Sequence, residues 1–187
     1  MSIKYLTYTI HTTPDFKEST VEKLSLLYAE MYMIYDELVF RMAPYNPSGA
    51  NILKVSGSGG MMKLLHEAGD DFFKVINENF AVFEEKRDFI SAYEAGSDDA
   101  NKTGDEQSRY KSEVSQVVNG YVKCFNYLKS TYDLFEKAGY TDANIKKFYY
   151  LKTEQRSVYV EDFIFHTEKL LEEWAKELNL DIMILNI

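Results

Sequence analysis

The glycine-rich run from Ser56 to Gly60, followed by Lys63, is the first stretch whose residue types could bind a ligand. Main-chain N–H groups at the start of a helix attract phosphate, and a lysine in the first turn would add positive charge. The spacing is not that of a phosphate-binding loop, because Gly60 is followed by Met61 and not by lysine and Ser or Thr. The composition is more typical of a flexible linker, either natural or engineered.

Histidine, cysteine and paired carboxylates form no recognisable catalytic or metal-binding pattern. The histidines are scattered, and none belongs to an HExxH or Glu-x-x-His pair; they are His11, His66 and His166. Cys124, the only cysteine, lies among apolar residues and is predicted to be a small buried side chain and not a nucleophile. Adjacent acidic residues such as Glu84 and Glu85 point in different directions on a helix. We therefore expect a non-enzymatic protein with no catalytic residue, metal or cofactor.

A basic cluster between residues 146 and 156 is interleaved with aromatic residues. Its members are Lys146, Lys147, Tyr149, Tyr150, Lys152 and Arg156. If this cluster opens a helix, its positive charges lie at the end where the helix dipole disfavours them. Such an arrangement favours a contact site for an anionic or aromatic group. Solvated charge, neutralised by acidic neighbours, is the alternative.

The overall charge and the tyrosine content favour a protein partner. Thirty acidic and 21 basic side chains give a net charge of −9, and the chain contains 15 tyrosines. Negative charge disfavours nucleic acid and anionic membranes, whereas tyrosine is common in protein interfaces. Acidity that serves only solubility is the alternative interpretation.

Candidate partner-binding positions lie on the acidic outer side of the first predicted helix, on the long loops and in the basic cluster. They are Glu22, Glu30, Asp36, Glu37, Tyr45, Asp98, Asp99, Tyr140, Lys146, Lys147, Tyr150 and Arg156.

Apolar residues spaced by three and four predict the four helices that would position these side chains. The clearest apolar seam runs from Val21 to Met42. The predicted helices span residues 14–43, 61–93, 107–138 and 142–178, joined by loops over 44–60 and 95–106. Residues 157–165 also alternate as a strand would, although we prefer the helix.

The two ends of the chain have strand character. Residues 3–12 alternate with β-branched and aromatic types, and residues 182–187 are short, apolar and β-prone. A two-stranded ribbon is stable only when it packs on something else, such as one end of a bundle. The sequence therefore predicts one mainly α domain over 1–187, a four-helix up-down bundle with a small two-strand element formed by the N- and C-terminal segments.

Composition gives the remaining expectations. A hydrophobic content of 45% and a charged content of 27% exclude general disorder, and no apolar run approaches the roughly 20 residues that span a bilayer. The single cysteine and the lack of an export signal favour the cytoplasm, of a cell or of an infected host. The preferred function is an acidic adaptor, inhibitor or immunity-type protein that binds a basic partner surface. The alternatives are a nucleotide- or phosphate-binding domain that uses the glycine run and the basic cluster, and a structural subunit of a homo-oligomer.

Overall fold

The structure, a computed structural model, describes residues 19–36, 60–96, 101–137, 147–151 and 156–186. Four helices lie within these ranges: α1 (Thr20–Asp36), α2 (Gly60–Ala95), α3 (Gly104–Lys137) and α4 (Val160–Leu178). Two strands, β1 (Lys147–Leu151) and β2 (Arg156–Tyr159), precede α4. The described part is mainly helical, as the periodicity predicts. None of its helices combines the length and apolar character needed to cross a membrane.

Helix α1 begins at a capping box. The Ser19 hydroxyl accepts a hydrogen bond from the N–H of Glu22, and the Glu22 carboxylate accepts one from the N–H of Ser19, both at 3.2 Å. This pairing satisfies two main-chain donors that a helix start leaves open. The helix therefore begins at Thr20 and not at residue 14 as predicted. Residues 14–18 and 37–43 of the predicted span lie outside the described residues.

Helix α3 begins in the same way. Thr103 caps it by accepting from the N–H of Glu106 at 3.2 Å, and the Glu106 carboxylate accepts from the N–H of Thr103 at 2.9 Å. The hydrogen bond from the Thr103 main chain lowers the pKa of Glu106. The observed bounds of α2 and α3 agree closely with the predicted helices 61–93 and 107–138. Of the two predicted loops, residues 44–59 and 97–100 lie outside the described ranges.

The prediction of one helix over 142–178 is wrong in its first half. Strands β1 and β2 pair antiparallel, with Phe148 opposite Val158 and Leu151 opposite Arg156. Aromatic and β-branched residues, which favour strands, fill both segments. The strand alternative for 157–165 holds up to Tyr159, and α4 begins at Val160.

This change removes one argument for a binding site in the basic cluster. Lys147 and Arg156 lie in the strands and not at the start of a helix, so no helix dipole opposes them. In α4 itself the dipole favours Glu161 in the first turn, whereas in the last turn Lys176 is offset by Glu177.

The predicted pairing of the two chain ends is not supported. Residues 180–186 follow α4 without strand structure, so the prediction of a strand over 182–187 is wrong for its described part, while residues 3–12 and Ile187 lie outside the described ranges. The segment instead bonds to α3: the Asn126 side chain donates to the carbonyl of Met183 at 2.8 Å and accepts from the N–H of Leu185 at 3.0 Å. A side-chain amide therefore takes the place of the expected partner strand.

The helices that follow one another pack antiparallel. Thr20 at the start of α1 bonds to Glu94 at the end of α2, Tyr93 of α2 stacks on Tyr110 of α3, and Lys129 of α3 pairs with Glu168 of α4. These contacts surround one apolar core, to which α1 contributes Leu24, Leu27, Tyr28 and Met31, α2 contributes Phe72, Ile76, Phe83 and Ile90, α3 contributes Val114, Val117, Val118, Tyr121, Val122, Cys124, Phe125 and Leu128, and α4 contributes Phe163, Leu170, Leu171 and Trp174. The four core residues of α1 lie within the predicted apolar seam from Val21 to Met42.

Candidate functional site: an aromatic groove between α1 and α2

An open groove of about 310 Å³ runs between α1 and α2. Its walls are Ser25, Tyr28, Ala29, Tyr32, Ile76, Asn77 and Phe80. None of these side chains is charged, and most are apolar or aromatic. The volume lies at the lower end of the range for ligand sites in proteins.

Tyr28 forms the base of the groove. Its ring meets Phe80 edge-to-face at 5.3 Å between centroids and Tyr121 edge-to-face at 5.2 Å, and it stacks on Phe83 at 5.7 Å. Edge-to-face and offset-stacked rings are the favourable geometries of aromatic pairs. Three helices therefore hold the Tyr28 ring in place, and the groove is formed before any partner binds.

Tyr32 and Phe80 form the rim. Their exposed fractions are 48% and 36%, so both present aromatic surface to solvent although Tyr32 also contacts Phe73 at 5.2 Å between centroids. Aromatic residues that are held in place but half exposed bury a large area at little cost in side-chain entropy when a partner covers them.

The exposed stripes that carry these residues become acidic toward one end of the groove. On α1 the stripe continues from Tyr32 back to Glu22, and on α2 it continues from Phe80 to Glu84 and Asp88. Because the helices are antiparallel, these carboxylates lie at the same end. Arg87 contacts Glu84 at 3.6 Å and Asp88 at 3.7 Å. Arg87 therefore offsets part of the negative charge of Glu84 and Asp88, and Glu22 adds to the acidic character of this end.

Behind the groove lie buried polar side chains of α1 and α3, among them Glu30, Tyr121 and Cys124. Burial raises the pKa of Tyr28 and of Tyr121, and in Tyr121 the nearby charge of Glu30 adds to this effect. Burial also raises the pKa of the Cys124 thiol to about 12, which leaves the thiol protonated at neutral pH. Cys124 is therefore a buried side chain, as predicted.

Of the predicted partner-binding residues, the structure describes the side chains of Glu22 and Glu30. Glu22 is exposed as predicted, but Glu30 is only 2% exposed and belongs to the core, so its assignment to the outer acidic side is wrong. An acidic residue on a predicted outer face is buried here because it packs toward Tyr121, a contact between helices that the α1 sequence does not contain. Only the main chain is described for Asp36, Lys147, Tyr150 and Arg156. The others, Glu37, Tyr45, Asp98, Asp99, Tyr140 and Lys146, lie outside the described ranges.

The rim residues were not among the predicted contacts. Phe80 lies four residues beyond the core residue Ile76, and Tyr32 lies one position beyond the core residue Met31. A sequence signal for Tyr32 exists, since an aromatic residue beside an apolar seam marks the edge of that seam. Which helix packs beside that edge cannot be inferred from the spacing within α1.

No family model, curated protein or solved structure matches this chain. Among the described residues, no group of three or more His, Cys, Asp or Glu side chains is placed to hold a metal ion.

Proposed function

We propose that this protein is a non-enzymatic, acidic protein-binding module that holds a basic amphipathic helix of its partner in the α1–α2 groove. The observation that carries the proposal is the pair of half-exposed aromatic side chains, Tyr32 and Phe80, on the two sides of a preformed apolar groove. An adaptor, an inhibitor or an immunity-type protein would each use such a surface.

The shape of the groove supports a helical partner. Two antiparallel helices leave a furrow along their common direction, and a third helix packs into it through side chains spaced by three and four. One or two large apolar residues of the partner would contact Tyr28, Tyr32 and Phe80. The flanking residues of the partner would then pass over the acidic end near Glu22 and Glu84.

The charge of the groove supports a basic partner and disfavours a phosphate ligand. Among the described residues that line the groove there is no cationic side chain, and the carboxylates at its end would repel an anion. The alternative of nucleotide binding uses residues 56–60, Lys63 and the 146–156 cluster, whose side chains are not among those described. Electrostatic attraction would contribute mainly to the association rate and would weaken with salt.

The experiment is a calorimetric titration of the whole protein with a model amphipathic peptide of leucine and lysine at helical spacing. The matched control is the same peptide with every lysine replaced by glutamate, which keeps the apolar face and reverses the charge. We expect the lysine peptide to bind at least about tenfold more tightly than the glutamate peptide, and the difference to shrink at high salt. Equal affinity for both peptides, or no binding of either, would refute the proposal.

A further inference from the structure

The chain beyond α4 folds back through a defined reversal. Asn179 has a φ of 53°. The N–H of Leu180 donates to the carbonyl of Ala175 at 2.8 Å, and the N–H of Asn179 donates to the carbonyl of Lys176 at 3.2 Å. These features form a Schellman motif, in which asparagine tolerates the left-handed conformation. The segment 180–186, called the strap below, then returns beside α3.

One edge of the strap is held by side chains of α3. Asn126 donates to Met183 and accepts from Leu185, as a neighbouring β-strand would. Lys129, which is 6% exposed and pairs with Glu168 at 2.8 Å, also donates to the carbonyl of Leu185. The carbonyl of Met183 and both the N–H and the carbonyl of Leu185 therefore have hydrogen-bond partners on this edge.

Burial along the strap alternates as it does along an extended strand. Ile182 and Ile184 are half-buried and pack against the core, whereas Met183 and Leu185 are 78% and 40% exposed. In an extended chain the main-chain groups of Ile184 point away from the edge that Asn126 holds. Among the described residues, no hydrogen bond joins the N–H or the carbonyl of Ile184. Within the part of the chain that the structure describes, the strap therefore presents an extended edge at Ile184 that has no hydrogen-bond partner, with the apolar side chains of Met183 and Leu185 on its outer face.

We propose that the strap is a dimerisation strand, and that its free edge pairs antiparallel with the strap of a second copy of this chain. Two-fold pairing centred on Ile184 would let the two Ile184 residues exchange both hydrogen bonds, and it would place Met183 of each copy opposite Leu185 of the other. Cross-strand apolar pairs of this kind stabilise a sheet.

Charge favours a second copy as the occupant of this edge. The chain carries a net charge of −9, so two copies repel each other over most of their surface, but residues 182–187 contain no charged side chain. An uncharged, apolar and self-complementary edge is the arrangement that monomeric proteins avoid. Its retention here fits a contact between copies.

The first test is the molar mass of the whole protein in solution, measured by light scattering across a concentration series. We expect a dimer for the wild type and a monomer for the double variant Met183→Glu/Leu185→Glu, which places like charges opposite each other without removing the main-chain bonds to α3. Phe165→Glu is the matched control, since Phe165 is 60% exposed on α4 and lies outside the strap, and it should remain dimeric. A monomeric wild type at every concentration, or a double variant that dimerises as well as the wild type, would overturn the proposal. Thermal unfolding of each variant shows whether it is folded.

The second test reads the register in the Cys124→Ser background. Residues 183 and 185 of opposite copies would form a non-hydrogen-bonded pair, whose Cα separation of about 4.5 Å permits a disulfide. A mixture of Met183→Cys and Leu185→Cys chains should form crosslinked dimers faster than either chain alone. Equal crosslinking of the mixture and of the separate chains would exclude the antiparallel pairing centred on Ile184.

Discussion

Glu94, in the last turn of α2, accepts a hydrogen bond from the main-chain N–H of Thr20, with 2.9 Å between that nitrogen and Oε2. Its other oxygen accepts from the Thr20 hydroxyl at 2.5 Å and from the hydroxyl of Tyr110 in α3 at 2.6 Å. One carboxylate therefore joins the start of α1 to the adjoining ends of α2 and α3. It acts on α1 as a cap supplied by another helix.

Replacing Glu94 should destabilise the protein more than replacing any exposed acidic residue of α2. We expect Glu94→Ala to lower the free energy of unfolding by about 2–3 kcal/mol, because it leaves two partly buried hydroxyls and a helix-start N–H without their acceptor. Glu78→Ala is the control on the same helix, and it should change the free energy of unfolding by less than about 0.5 kcal/mol. Urea unfolding measures both, and equal effects of the two substitutions would contradict the capping role.

The stability of the protein should fall as the pH rises above about 9. Burial raises the pKa values of Cys124, Tyr28, Tyr110 and Tyr121, and in Tyr110 the hydrogen bond to Glu94 adds to this effect. As the pH passes the ordinary values of about 8.5 for cysteine and about 10 for tyrosine, the unfolded chain releases protons that the folded chain keeps. The unfolded state then binds fewer protons, so stability declines with pH, whereas these groups add no pH dependence below about pH 8.

Urea midpoints at neutral pH and near pH 10 measure this decline, and tyrosine absorbance followed at the same time should change together with unfolding. Tyr121→Phe should lessen the loss of stability at alkaline pH, because it removes one of the buried hydroxyl groups that keep their proton in the folded state. A midpoint that does not change between the two pH values would show that the buried hydroxyls do not have raised pKa values.

The close approach of α2 and α3 can be tested at Gly120. A Cβ atom built on Gly120 would lie 2.9 Å from Oδ1 of Asn79, whose side chain donates to the carbonyl of Val75 at 2.7 Å. Alanine is favoured over glycine within a helix by about 1 kcal/mol, and in the wild type this overlap should offset that gain. In an Asn79→Ala background the overlap is absent, so Gly120→Ala should stabilise the protein by about 1 kcal/mol. A double-mutant cycle gives the coupling between the two sites, and a coupling of zero would contradict the contact.

The Asn126 contact predicts a difference between neighbouring amides of the strap. The N–H of Leu185 donates to Asn126, whereas that of Ile184 has no partner among the described residues. At concentrations low enough to give monomers, the Leu185 amide should exchange with deuterium more slowly than the Ile184 amide. Asn126→Ala should remove that difference while the helix amides keep their protection. If Leu185 exchanged at the same slow rate in the variant, the Asn126 side chain would not hold the strap.

The helices were predictable wherever one apolar stripe decided the structure. The stripes of α2 and α3 recur over many turns, and their bounds followed from the sequence with small errors. Residues 157–165 fit both the helical and the strand period, and up to Tyr159 the local preference of β-branched and aromatic types for strands determined the outcome. The capping boxes at Ser19 and Thr103 are visible in the sequence as Ser or Thr followed three residues later by Glu, and they mark the true starts of α1 and α3.

The candidate site was less predictable because it depends on two helices at once. Acidity and tyrosine content indicated a protein partner, but the position of the groove follows from the packing of Tyr28 against Phe80 and Phe83 of α2. Glu30 is buried near Tyr121 of α3, and Asn126 of α3 contacts the strap. Both contacts join residues that are distant in the chain. The spacing of residues within one helix cannot predict contacts between helices.

The binding role of the groove can be tested through the affinity of the leucine–lysine peptide for a groove variant. Tyr32→Ala/Phe80→Ala removes both rim side chains, and Phe165→Ala removes another exposed aromatic side chain that lies on α4. We expect the double variant to bind the peptide at least about tenfold more weakly than the wild type, a loss of about 1.4 kcal/mol, and Phe165→Ala to bind as the wild type does. Unchanged binding by the folded double variant, or an equal loss in Phe165→Ala, would contradict the assignment of the groove as the binding site.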